Sequence, residues 1–152
     1  FLYGCSATPS TPSSTSNKTT TPSVSEPSAP KYTVSAERLL KVFGDNEVGA
    51  NIKYHDSIII ITGYVYDIKQ LGSEYYVELG YKDPSHAAAA GYVYNTDRVL
   101  SGWNMYNKTI RCYIPDAASI SNLSKEQYVK IKGQYNGVDG GVNIEIENCE
   151  IL

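Results

Sequence analysis

Between Ser6 and Lys31 the only apolar side chains are Ala7, Val24 and Ala29; beyond Tyr32 they return in two distinct rhythms. The first is helical. Ala36, Leu40, Phe43, Glu47, Ala50 and Tyr54 recur at steps of three and four, which predicts one long helix with a single buried stripe. Ser35 is placed to cap it. Gly44 lies inside and costs about 1 kcal/mol relative to alanine, so a break is expected near that position. Glu47 falls on the apolar stripe, either as a functional carboxylate in a cleft or, the favoured reading, accepting hydrogen bonds from a tyrosine or from backbone groups.

The second rhythm has period two and predicts strands. Ile58 to Ile61 opens a long strand reaching Ile68, interrupted by Gly63, where a bulge or sharp bend is expected. From Glu74 to Tyr81, Tyr75, Val77 and Leu79 share one face, with Tyr76 and Glu78 on the other. Ile110, Cys112 and Ile114 oppose Arg111 and Tyr113 between Thr109 and Ile114. Ala117, Ile120 and Leu123 suggest a short helix within Asp116–Ser124. Val129, Ile131 and Gly133 oppose Lys130, Lys132 and Gln134. Asn136 to Gly141 carries a hairpin signal. Val142, Ile144 and Ile146 then alternate, and Cys149 and Ile151 continue in the opposite phase, which predicts either a bulge near Asn148 or a strand that switches faces. Five strands, with a short helix between the third and fourth, is the order of an OB-fold barrel. The predicted class is α+β, mainly β, with an additional N-terminal helix.

Composition divides the chain. Residues 6–31 contain 19 Ser, Thr or Pro among 26 positions and cannot bury enough surface to offset the entropy of ordering. They read as a disordered tether, about 28 Å root-mean-square if flexible and about 80 Å if extended. The folded part is expected over 32–152, with 11 basic and 15 acidic residues. Phe1-Leu2-Tyr3-Gly4-Cys5-Ser6 resembles the lipobox of bacterial lipoproteins. That resemblance makes residues 1–5 the remnant of a signal peptide and lipobox, and Cys5 the acylated residue. Two acyl chains anchor stably where one does not. The implied place is the extracytoplasmic side of a bacterial cell membrane, in a Gram-positive organism by preference. The alternative is a mucin-like stalk, for which Asn17, Asn107 and Asn122 offer sequons.

Leu39-Leu40, Asn46-Glu47, Ala50, Tyr54, Thr62-Gly63-Tyr64-Val65, Ile68 and Tyr76-Val77-Glu78-Leu79 resemble the tRNA-anti-like OB-fold family in order and spacing. So do Arg111-Cys112-Tyr113-Ile114, Val129-Lys130-Ile131-Lys132-Gly133 and Asn148-Cys149. The resemblance implies an OB fold and brings no catalytic residues with it. Two departures stand out. Residues 82–108 replace a short turn with an insertion that holds Ala87 to Ala90, Tyr92, Tyr94, Trp103 and Tyr106. Glu126 stands where the family has a glycine, so a different turn is expected there.

Signatures of serine hydrolases, zinc peptidases, β-lactamases and nucleotide-binding loops are absent. No catalytic site, metal site or cofactor is expected: His55 and His86 are isolated, and Glu145 and Glu147 read as a solvated strand face. A hydrolytic role for an unrecognised carboxylate is the remaining enzymatic alternative. Third and fifth strands are neighbours in an OB fold, so Cys112 and Cys149 can meet, either as a disulfide or as buried thiols. Binding is the favoured function. The candidate face comprises Tyr76, Arg111 and Tyr113, with Tyr66 nearby and Asn136 and Asp139 at the rim. Tyr92, Tyr94, Trp103 and Tyr106 either flank this face or fold back into the core. Expected partners are the lipid membrane, through Cys5, and an envelope protein or glycan, the domain acting as a monomer. Oligosaccharide and single-stranded nucleic acid are the alternative ligands of an OB face. A net negative body disfavours the latter, because phosphate binding needs a basic groove.

Overall fold

The computed structural model describes residues 29–82 and 99–152. Cys5, nearly all of the tether, and Tyr92 and Tyr94 of the insertion lie outside the described residues. In chain order the elements are β1 (Tyr32–Ser35), α1 (Ala36–Asp45), α2 (Glu47–Tyr54), β2 (Ile58–Leu71), β3 (Glu74–Tyr81), β4 (Leu100–Ser101), α3 (Trp103–Tyr106), β5 (Thr109–Ile114), α4 (Ala117–Ser121), β6 (Tyr128–Asp139) and β7 (Asn143–Ile151). Strands β2, β6, β7, β5 and β3 run in that spatial order, and β3 returns to pair with β2. This closed ring of five strands is an OB-fold barrel.

Closure depends on β2. Its first half pairs with β6 from Ile58 to Tyr64, and its second half pairs with β3 from Tyr64 to Leu71. Gly63 sits where the partners change. A Cβ there would lie 2.8 Å from the Cβ of Ala36 and 3.1 Å from the carbonyl of Gly80, so glycine lets the start of α1 rest against the bend. The bulge itself falls between Val65 and Asp67, slightly later than the glycine suggested, and leaves Tyr66 without a ladder partner.

Period-two alternation fills the barrel as predicted. Ile59, Ile61, Val77, Leu79, Ile110, Cys112, Ile131, Ile144 and Ile146 are fully buried. At Asn148 the backbone turns left-handed (φ 51°), and the β6–β7 register slips between Lys132 and Gln134. That extra residue returns Cys149 to the interior.

Three local expectations need correction. The single long helix is two. The break is at Asn46, not Gly44, because the Asn46 side chain accepts from the Gly49 amide and caps α2. Glu47, in the first turn of α2, is paired with the Lys108 ammonium at 2.6 Å rather than with a tyrosine. Strand β1 was not anticipated; it is four residues long and pairs parallel with Ile59–Thr62 of β2. Ser35 does cap α1, accepting from Arg38.

Leu39, Leu40 and Phe43 of α1, with Ala50 and Tyr54 of α2, belong to the buried core. Tyr32, Tyr54, Phe43 and Tyr135 form a chain of ring contacts, with successive centroids 5.1, 6.0 and 5.7 or 6.3 Å apart. Part of the tyrosine excess is therefore core material. No described helix is long and apolar enough to cross a membrane.

Candidate binding face

Outward positions of β2, β3, β5 and β7 form one surface, because the ladder sets them side by side. Asp67 stands opposite Glu78, Lys69 opposite Tyr76, Tyr76 opposite Tyr113, Glu78 opposite Arg111, and Arg111 opposite Glu145. Tyr76, Arg111 and Tyr113 are thus adjacent. The two rings lie 5.6 Å apart, and the Arg111 guanidinium sits 5.1 Å above the Tyr76 ring.

Burial separates their roles. Tyr76 is only 6% exposed, so its ring supports Arg111 from below and is closed to a ligand. Arg111 and Tyr113 are half-buried and carry the open surface. The Tyr113 hydroxyl donates to Glu145 Oε1 at 3.0 Å. Burial, with that carboxylate beside it, pushes the Tyr113 hydroxyl above its usual pKa against the pull of Arg111.

Charges on this face are largely cancelled. Lys125 reaches Asp67 at 2.7 Å, and Lys69 lies 3.4 Å from Asp67 and 3.5 Å from Glu78. Glu78 is 5% exposed and accepts a further hydrogen bond from the Ser101 hydroxyl at 3.1 Å. The Lys125 contact holds the Asp67 carboxyl below the usual carboxylate range. Burial opposes the charge on Lys69, but Glu78 and Asp67 outweigh it and raise its pKa. Arg111 differs from these cations. It makes no ion pair among the described residues, and its Nε–H is buried without an acceptor. Packing on tyrosine positions it, and hydrogen-bonding capacity is left over.

A groove of about 450 Å³ opens beside Tyr113, lined by Glu74, Tyr75, Pro115, Glu145 and Glu147 among others. Its acidic wall has no counterpart in the sequence expectation, which treated Glu145 and Glu147 only as a solvated face. The signal was present: Glu145 and Glu147 share a strand face with the rim of the hairpin.

The remaining candidates disperse. Tyr66, expelled by the bulge, lines a separate groove of about 230 Å³ with Asp67, Val99, Lys125 and Glu126. Asn136 donates to Glu147 at 2.6 Å and faces a third groove beside the end of α2. Asp139 is exposed at the last position of β6. Trp103 is 52% exposed, and its amide donates to Ser101, the residue that holds Glu78. Tyr106 packs instead against Tyr81, with ring centroids 5.9 Å apart, and lies close to Gly44. The insertion therefore sends one ring outward and one into the core. Among the described residues no cluster of His, Cys, Asp and Glu could hold a metal.

The signature of the tRNA_anti-like family matches residues 2–149. Among solved structures the chain is similar to a lipoprotein from Klebsiella pneumoniae subsp. pneumoniae to which nucleic-acid binding is provisionally ascribed. The identity is 19% over 79% of this chain and 90% of that chain, with a TM-score of 0.53. It is also similar to an OBody bound to hen egg-white lysozyme, at 21% identity over 66% of this chain and 85% of that chain, with a TM-score of 0.38. At 19% identity the likeness to the Klebsiella lipoprotein concerns the fold alone. No curated protein matches the chain.

Proposed function

The chain belongs to the tRNA_anti-like family, and from that footing we propose a lipid-anchored, extracytoplasmic binding module. Its ligand is an envelope glycan, recognised on the Arg111–Tyr113 face. The observation that carries this reading is Arg111: a guanidinium stacked on a buried tyrosine, outside any described ion pair, on the same strand face as Tyr113, which lines an open groove. Planar donors and carboxylates around a ring suit the hydroxyl groups and C–H faces of a sugar chain. OB folds bind oligosaccharides and oligonucleotides on the corresponding face.

Nucleic acid, the ligand ascribed to the Klebsiella lipoprotein, fits this surface less well. A phosphodiester needs a track of free cations, whereas Lys69 and Lys125 are committed to Asp67 and Glu78, and the groove wall is acidic. Anchoring through Cys5 is supported by the lipobox resemblance and by the naming of that neighbour as a lipoprotein.

Co-sedimentation of the full chain with purified peptidoglycan sacculi, alongside filter binding of an oligothymidylate, tests the ligand class. Retention on sacculi with no oligonucleotide retention is expected. Tight, salt-sensitive oligonucleotide binding without sacculus retention would overturn it. For the anchor, Cys5→Ala is expected to move the protein from the membrane to the soluble fraction.

A further inference from the structure

We infer that Cys112 and Cys149 are a built disulfide pair, oxidised as the exported chain folds, which ties β5 to β7 beneath the binding face. Oxidation in the cell rests on the extracytoplasmic reading above; the geometry does not. Both thiols are free in this structure and at most 4% exposed. Cys112 lies inside the barrel on β5, opposite Ile146 of β7. Cys149 would point outward if β7 kept its alternation. It points inward because Asn148 takes φ 51°, a left-handed conformation that asparagine reaches more readily than most other non-glycine residues.

The opposite strand accommodates the return. A Cβ at Gly133 would lie 2.7 Å from Cys149 Sγ and 2.6 Å from Ile146. Two independent local features, a left-handed asparagine in a strand and a glycine across from it, thus bring Cys149 Sγ into the barrel interior beside Ile146, the residue opposite Cys112. The Cys149 thiol beside it, with burial, raises the Cys112 pKa. Cys149 Sγ also lies 3.3 Å from the Ile146 carbonyl.

The chemistry is thiol–disulfide exchange. The Cys149 thiol loses its proton, and its thiolate attacks one sulfur of an oxidised disulfide donor, either a thiol–disulfide oxidoreductase or oxidised glutathione. The donor's S–S bond breaks and one donor thiolate leaves. The Cys112 thiolate then attacks Cys149 Sγ in the mixed disulfide and expels the second donor sulfur. Two electrons and two protons pass from the protein to the donor, which is reduced to the dithiol or to two thiols. Burial hinders this in the folded barrel, because the thiolate is the reacting form. The bond therefore forms before the barrel closes, and afterwards resists reduction.

Refolding the denatured, reduced full chain in an oxidised/reduced glutathione buffer, followed by alkylation and peptide mass spectrometry, tests this. The expected product is a Cys112–Cys149 cross-linked peptide with neither cysteine alkylated. It should melt roughly 10 °C above the reduced protein, since the bond closes a loop of about 36 residues. A phosphine reductant should cleave it only after denaturation. Two alkylated cysteines, or glutathione mixed disulfides at both, in a refolded barrel would overturn the inference. This outcome is independent of membrane fractionation: an unanchored protein can still form the bond, and an anchored one can fail to.

Discussion

Glu126 has a backbone φ of 67°, in the left-handed region where glycine is at ease and other residues are strained. The family resemblance places glycine at this position, and the expectation was a different turn. Instead the glutamate takes the backbone angle suited to glycine. Its amide donates to the Val65 carbonyl at 2.7 Å, and Val65 in turn donates to the Gln127 carbonyl at 2.8 Å, so the turn is fastened to the bend of β2. Glu126→Gly should raise stability by up to about 1 kcal/mol, read as the midpoint of urea unfolding; a fall in the midpoint would contradict the strain argument. Tyr135 makes a second single-residue case. Its hydroxyl donates to Asn51, and burial, with the Glu47 carboxylate as a lesser cause, pushes its pKa up to about 12. A phenol raised in this way favours the fold while protonated. Its contribution is complete below pH ~10, the unfolded value, and is lost as pH rises through about 12. Tyr135→Phe should therefore unfold less steeply with pH across that interval and lack one late-rising tyrosinate in an absorbance titration. An unchanged alkaline profile would count against a buried, perturbed Tyr135.

At the scale of elements, α2 and the tip of the β6–β7 hairpin are joined by one side chain from the end of the insertion. Lys108 donates to Glu47 and to the Gly141 carbonyl, with its side chain 11% exposed against 38% for Glu47. Glu47→Gln removes the charge that compensates a mostly buried ammonium. Because Glu47 is itself partly solvated, a loss of about 1–2 kcal/mol is expected, short of the cost of breaking a fully buried pair. Thermal melts of wild type and variant measure it, and an unchanged melting temperature would reduce Lys108 to a surface contact. Such long-range pairs explain what the sequence could not yield. Strand alternation exposed every barrel strand, because each buries one face and solvates the other. The Cys149 phase change revealed the bulge for the same reason. Glu47 was visible as an anomaly on an apolar stripe, but its partner lies 61 positions away, beyond any local periodicity. Strand β1 was hidden because four residues beside a proline-rich tether carry too little pattern.

For the whole molecule, the body's net negative charge is less informative than its arrangement. Asp67, Lys69, Glu78 and Lys125 cancel one another across two strands and the β6 approach, leaving Arg111 outside any described ion pair and as the cation on which the proposed recognition turns. The sequence named Tyr76, Arg111 and Tyr113 as neighbours because outward positions of adjacent strands must align. It did not reveal that Tyr76 would be covered, since burial of an outward ring depends on the long side chain lying over it. Tyr66 and Asn136 stand near them in the sequence pattern, but the bulges at Val65/Asp67 and Tyr135/Gly137 turn them toward other grooves, and Tyr106 of the insertion packs into the core against Tyr81.

The most direct test is retention of the full chain on purified sacculi, compared between wild type and Arg111→Ala at matched circular dichroism. Loss of the guanidinium with the barrel intact should weaken retention about tenfold, or ~1.4 kcal/mol. Lys125→Ala, which removes a cation already committed to Asp67, should leave retention near wild type. Equal retention of wild type and Arg111→Ala would show that recognition lies elsewhere on the protein.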